Sequence, residues 1–175
     1  MKALFKYSRK SAPPRPMSKP VVDITPSLRF VAQIRSSTET SLADLNQKTD
    51  FLLAMAAFLR PSDLERISLP NSKLINQGDL QLTIVAPKEL RAGRRITKTF
   101  VVRKNTDFKQ LCPVRAFISS KHHPKATGRP HLKLLVNSKD PSKTLRTTTI
   151  SNWLHRIVSK STSQKPVPSV LLPCV

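Results

Sequence analysis

Acidic residues, glycine, aromatics and cysteine are all scarce in this 175-residue chain, and each shortage narrows what it can be. Only 10 Asp and Glu stand against 31 Lys and Arg, a formal charge of +21. So basic a balance predicts a polyanionic partner, nucleic acid before an anionic membrane, although it decides neither fold nor chemistry. The two cysteines, Cys112 and Cys174, are far apart and form no C-x-x-C pair. That excludes a disulfide framework and a cysteine-based zinc site, and points to a reducing, intracellular compartment. No apolar run reaches the roughly 18 residues of a membrane span. The start, MKALFKYSRK, lacks the apolar stretch of a secretory signal.

With 38% apolar residues and only three glycines the chain is able to fold, while 15 prolines predict loops and extended arms. Its length suits one domain with a modest core. Residues 1–23 read as a basic, proline-rich leader, with six Lys or Arg and no acid in the first 20 positions. The leader either tracks phosphates or serves as a plain linker. Residues 24–160 carry the folding periods, and 161–175 form an irregular tail.

Within 24–160, Thr25-Pro26 reads as an N-cap and N1 pair for a helix to about Arg35, with Leu28, Val31 and Ile34 on one face. After a polar break, Thr40 or Ser41 caps a second helix whose Leu42, Leu45, Leu52 and Leu59 share a stripe. This helix ends in nine consecutive apolar residues, Phe51 to Leu59, followed by Arg60 and Pro61. An apolar run without a polar face predicts burial. Pro61 restricts Arg60 to extended backbone and so ends the helix. Ser62 and Glu65 have capping-box spacing for a further helix carrying Leu64 and Ile67. Arg60 is thereby expected at a seam between two helices, a costly place for a charge unless it meets an anion.

Residues 70–79 read as a loop. The period then changes to two: Leu80, Leu82, Ile84 and Ala86 alternate with polar or smaller neighbours, as do Ile96, Lys98, Phe100 and Val102. Between the runs lies PKELRAGRR, with Gly93 as the turn residue. The pattern predicts an antiparallel hairpin whose basic tip, Lys88, Arg91, Arg94 and Arg95 with Lys98 nearby, contacts DNA phosphates. Cys112-Pro113 opens another helix, with Val114, Phe117 and Ile118 inward and Cys112 structural. His122 and His123 read as exposed loop residues without the further ligands a metal needs. Leu132–Val136 is extended. Thr149 caps a last helix with Ile150, Trp153, Leu154, Ile157 and Val158 on its apolar face; Trp153 reads as core rather than as a base-stacking platform. No metal or cofactor is implied. The fold class is α+β, mainly helical with a small antiparallel sheet of two or three strands.

Four separated pieces, in order, resemble the first half of a tyrosine recombinase (phage integrase-like) catalytic domain, most closely recombinases of eukaryotic crypton-type mobile elements. They are KTDFLLAMAAFLRPSDLERI at 48–67, the strand–basic loop–strand at 82–102, LCPV at 111–114 and TTISNWLHRI at 148–157, covering roughly residues 25–170. The resemblance implies that Arg60 binds the scissile phosphate and that Asp63 orients Arg60. It implies Lys88 as general acid for the leaving 5′ oxygen, with Arg91 the second candidate. Arg60 pairing with Asp63 or Glu65 on its own helix end is the competing structural account. The family mechanism also needs a tyrosine nucleophile and a second box with an arginine and a His or Trp. The single tyrosine is Tyr7, in the leader, and PVPSV at 166–170 runs into LLPCV, where the family pattern continues to the second arginine. The expectation is a marginally stable, truncated recombinase-derived protein that binds DNA, in the nucleus, but does not cleave it alone. The resemblance also allows a homo-oligomer on the DNA. The alternatives are a nonenzymatic basic RNA-binding or ribonucleoprotein component, and a nonfunctional relic of a mobile element.

Overall fold

A computed structural model describes residues 23–75, 78–85, 90–91, 94–129 and 132–162. Among these, the chain is α+β: five α-helices and a small three-stranded antiparallel sheet. No described helix is long and apolar enough to cross a membrane.

The first helix, α1, spans Thr25–Gln33, and its N-cap is Ile24 rather than Thr25. Asp23 explains the shift: its carboxylate accepts the Thr25 N–H at 2.9 Å and supplies the cap from two residues upstream. Helix α2, Leu42–Ala57, starts as its sequence predicts, with the Ser41 side chain accepting the Asp44 N–H. Leu42, Leu45, Leu52 and Leu59 are all buried, so the expected stripe holds.

The C-terminus of α2 departs from expectation. The helix stops at Ala57, because Phe58 turns into the left-handed region at φ 51° and ψ 42°. The Leu59 N–H then reaches back to the Ala54 carbonyl at 3.1 Å, the wrapped bond of a Schellman ending. Leu59 is thereby turned into the core, whereas Met55 is 41% and Phe58 91% exposed. The apolar run is therefore not wholly buried. Its burial follows the helix face and the reversal at Phe58 rather than hydropathy alone.

Arg60 is extended (φ −78°, ψ 157°), as Pro61 requires, and caps the short helix α3, Pro61–Leu64. The cap is not made by Ser62 with Glu65. Asp63 accepts the Arg60 N–H at 3.3 Å instead, one register earlier. Ile67 lies beyond α3, in a bridge to Ile84.

The sheet contains β1 (Lys73–Leu74), β2 (Leu80–Ile84) and β5 (Lys98–Val102) in the order β1-β2-β5. The stretch 70–79 is thus not all loop. The predicted hairpin is β2 with β5, paired from Leu80↔Val102 to Ile84↔Lys98. Leu80, Leu82, Ile84 and Val102 are buried and Val101 is exposed, as a period of two requires, but Thr83 on the other face of β2 is buried too, its hydroxyl donating to the Asn71 carbonyl at 2.8 Å. Beyond it, β3 (Leu90–Arg91) and β4 (Arg94–Arg95) form a separate ladder.

Helix α4, Pro113–Lys121, follows Cys112, which is fully buried and structural. Leu132–Val136 is extended but forms no strand; it is held by bridges Ser68↔Lys133 and Val136↔Thr144. Helix α5, Thr147–Thr162, begins two residues before the expected Thr149 cap. It packs on α1, α2 and α3, and buried Ser27 of α1 donates to the Ile157 carbonyl of α5 at 2.6 Å. The main core lies between α2, α4, α5 and the sheet, where Leu53, Leu64, Leu82, Phe117, Leu134 and Ile150 meet; Trp153 packs against it, half-buried.

Candidate nucleic-acid interface

Two basic features, Arg60 and the hairpin tip, are tied together by one strand edge. After α3 the chain runs alongside the end of β2: Ser68 N–H donates to Thr83 O at 2.8 Å, and Val85 N–H to Arg66 O at 3.2 Å. The strand that receives these bonds leads directly towards the basic tip. Arg60 therefore stands one short helix away from the base of that hairpin.

Arg60 itself is exposed, and its guanidinium has no ion pair among the described residues. Asp63 accepts the Arg60 main-chain N–H, a contact with the backbone and not with the guanidinium that the resemblance has it orient. Glu65, the other proposed partner, is taken by distant residues. It accepts from the Lys133 ammonium at 3.3 Å and from the Thr147 hydroxyl. The Thr147 hydroxyl bond, ahead of Lys133, holds its carboxyl below the ordinary range. Neither Asp63 nor Glu65 forms an ion pair with the Arg60 guanidinium among the described residues.

At the hairpin, Arg91 pairs in register with Arg94, and Leu90 with Arg95. Lys88 and Gly93 lie outside the described residues. Lys98 is not part of the tip: it pairs with Ile84 at the start of β5, half-buried on the face shared with Phe100 and Val102. It belongs to the base of the hairpin.

The Glu65–Thr147 bond also brings the start of α5 against α3, which places further cations near the seam. Arg146 is exposed and immediately precedes α5. With Lys139, Lys143, Thr149 and Trp153 it lines a cavity of about 670 Å³. Of these cations, Lys143 is paired with Asp140 at 2.9 Å. Trp153 packs against the core, as its helical spacing implies, and also lines this cavity.

One histidine is placed differently from its sequence reading. His123 is 4% exposed rather than a free loop residue. Its Nε2 lies 2.9 Å from the Thr40 carbonyl, and its Nδ1 accepts the Lys125 N–H at 3.2 Å, so the ring is the neutral Nε2–H tautomer. No sequence period signals this, because Thr40 is 83 positions away. His122 is exposed, as expected. No group of three or more His, Cys, Asp or Glu among the described residues is placed to hold a metal.

Arg129 is a basic residue assigned no role by sequence, and its position explains why it is not a ligand-binding candidate. Its guanidinium donates to the carbonyls of Ala126 (2.7 Å), Lys133 (3.1 Å), Ser120 (3.1 Å) and Leu134. It joins the end of α4 to the extended 132–136 segment. The formal charge therefore overstates the cations available to a partner, since Arg129 and Lys133 are engaged inside the fold.

No protein-family model, curated protein or solved structure matches the chain.

Proposed function

We propose that the chain is a DNA-binding protein of the tyrosine recombinase type, engaging backbone phosphates through Arg60 and the hairpin tip. The observation that carries the reading is the exposed Arg60, without an ion pair among the described residues and capping a helix whose following segment is bonded to the end of the hairpin strand. A guanidinium at a fixed N-cap presents a planar fork of donors suited to two non-bridging phosphate oxygens. Arg91, Arg94 and Arg95, which the sequence concentrates in this hairpin, would add sequence-independent phosphate contact. In recombinases of this type the corresponding arginine stabilises the charge that builds on the scissile phosphate, and the hairpin lysine, here Lys88, protonates the leaving oxygen.

The proposal concerns binding; the single tyrosine of these 175 residues, Tyr7, precedes Arg60. Incubation with a nicked suicide duplex is expected to leave no covalent adduct.

The deciding experiment is a salt titration of duplex binding by fluorescence anisotropy. Arg91→Gln, Arg94→Gln and Arg95→Gln combined are expected to flatten the log–log salt slope by about 2 to 3, near 0.9 for each phosphate that is no longer neutralised. Arg60→Gln is expected to weaken binding about tenfold, the range for a hydrogen-bonded charge. If Arg60→Gln and the exposed Lys125→Gln have equal effects, the phosphate-site reading fails. Tighter binding to single-stranded or hairpin RNA than to duplex DNA would favour the nonenzymatic RNA-binding alternative.

A further inference from the structure

A second cationic centre lies away from Arg60, where the end of α1, the middle of α2 and the start of α4 converge. A cavity of about 340 Å³ opens there, lined by Arg35, Ser36, Lys48, Lys109, Gln110 and Arg115 among others, with no carboxylate in the lining. Its volume is several times the roughly 30 Å³ share of a water molecule, enough for a tetrahedral oxyanion with its hydration. Four cations converge on one cavity, and none forms an ion pair with a described residue.

Lys48 is the unusual member. It is a fully buried lysine, among the largest enclosed side chains of the chain. Its ammonium donates to the Ile34 carbonyl, just past the end of α1. This bond explains one of three N–H donors and resembles ordinary C-terminal capping. It does not explain why Arg115 is placed close enough to Lys48 to repel it, nor why the Ser36 hydroxyl is buried without a partner. Burial, reinforced by Arg115, lowers the Lys48 pKa to about 8. Such crowding of like charges is unfavourable in the empty cavity and is relieved by an anion.

We propose that this cavity is a phosphate-binding site, distinct from Arg60 and the hairpin. Arg35, Lys109 and Arg115 supply direct donors from the rim, while buried Lys48 acts from the floor through its charge. An adjoining cavity of about 520 Å³ shares Lys109 and Arg115 and adds Lys104. Two linked phosphate groups fit this arrangement better than one, with Arg115 between them. The inference does not depend on the DNA reading, since none of these residues belongs to the Arg60 and hairpin surface.

The test is calorimetric titration of the full chain with inorganic pyrophosphate at constant ionic strength. Lys48→Met risks the fold, so exposed Arg115 and Lys109 are the positions to change. Saturable binding is expected, weakened about tenfold in Arg115→Gln and in Lys109→Gln and unchanged in the exposed Lys125→Gln. Absence of saturable binding, or equal affinity in all four proteins, overturns the site. Repeating the titration with saturating duplex DNA identifies the source. Loss of pyrophosphate binding shows that a DNA phosphate fills the cavity, and retention shows a free phosphate compound; both support the site. A protein that binds pyrophosphate but not DNA would retain this site and refute the DNA reading. Duplex binding without saturable pyrophosphate binding would do the reverse.

Discussion

In α2 burial does not track hydropathy: the body of the helix buries polar groups and its last turn exposes apolar ones. Asn46, Lys48, Thr49 and Asp50 are buried alongside Leu45, Phe51, Leu52 and Leu53. Met55 and Ala56, and Phe58 just past the helix, face solvent. The buried polar groups are not equivalent to one another. Asn46 donates to the Val136 carbonyl at 2.9 Å, Thr49 to the Leu45 carbonyl at 2.7 Å, and Lys48 to Ile34. Asp50 has no hydrogen-bond partner for either oxygen among the described residues. Helix α2 sits between α4 and α5, so its body is covered on several sides whatever side chains it carries. Its last turn emerges from that cover before the chain reverses at Phe58. Position in the packing, more than side-chain type, decides which residues are inside.

The contrast breaks most sharply at two neighbours of similar hydropathy. Leu53 is fully buried and Met55 is 41% exposed, only two positions apart. Leu53→Ala is expected to cost about 3 kcal/mol, because it leaves a cavity, whereas Met55→Ala should stay within about 0.5 kcal/mol. Urea unfolding of the two variants checks this, and equal destabilisation would show that the end of α2 is covered after all.

Asp50 gives the next effect, through pH. Burial pushes its carboxyl well above the ordinary 3.8. A group whose folded pKa exceeds its unfolded one adds stability that is complete below about pH 4 and is lost as pH rises through the folded value. The wild-type protein should therefore lose stability relative to Asp50→Asn from about pH 4 upwards, by up to about 1.4 kcal/mol per pH unit. Parallel stability curves for the two proteins from pH 4 to 7 would show that the carboxyl finds a partner.

The smallest effect concerns the reversal. Phe58 occupies a left-handed position usually filled by glycine, and its ring contributes little burial at 91% exposure. Phe58→Gly is expected to stabilise the chain by about 0.5 to 1 kcal/mol, seen as a higher denaturation midpoint. Destabilisation would mean that the ring covers apolar surface as part of an interface, and would redirect attention to the exposed end of α2 as a docking face.

Much of the fold was legible in short-range patterns. Ser41 caps α2, Pro61 sets the extended backbone of Arg60, and Cys112-Pro113 opens α4. The alternation of Leu80, Leu82 and Ile84 correctly named the inward face of β2. Errors arose where a nearer or a much more distant partner intervened. Asp63 displaced Ser62 and Glu65 at the α3 cap, from within the same few residues. Glu65 is held by Lys133 and Thr147, 68 and 82 positions away, and no local spacing announces either bond. The burial of His123 depends in the same way on Thr40, 83 positions away, whereas the carbonyls held by Arg129 lie close in sequence but follow no residue period.

The candidate site divides along the same line. Arg60-Pro61 specifies by itself that a charge is placed outside the helix at a restricted backbone position, since a proline acts on its immediate predecessor. Charge count alone marked the hairpin tip as basic. Only the tertiary structure decided that Arg60 has no ion pair among the described residues while Lys133 and Arg129 are engaged. Only packing turned Lys48, an ordinary residue in an amphipathic reading, into the buried floor of a cationic cavity. Caps, breaks and strand periods act within about four residues, where sequence spacing is geometry. Neutralisation and burial of a charge depend on whichever groups packing brings beside it, however far apart they lie along the chain.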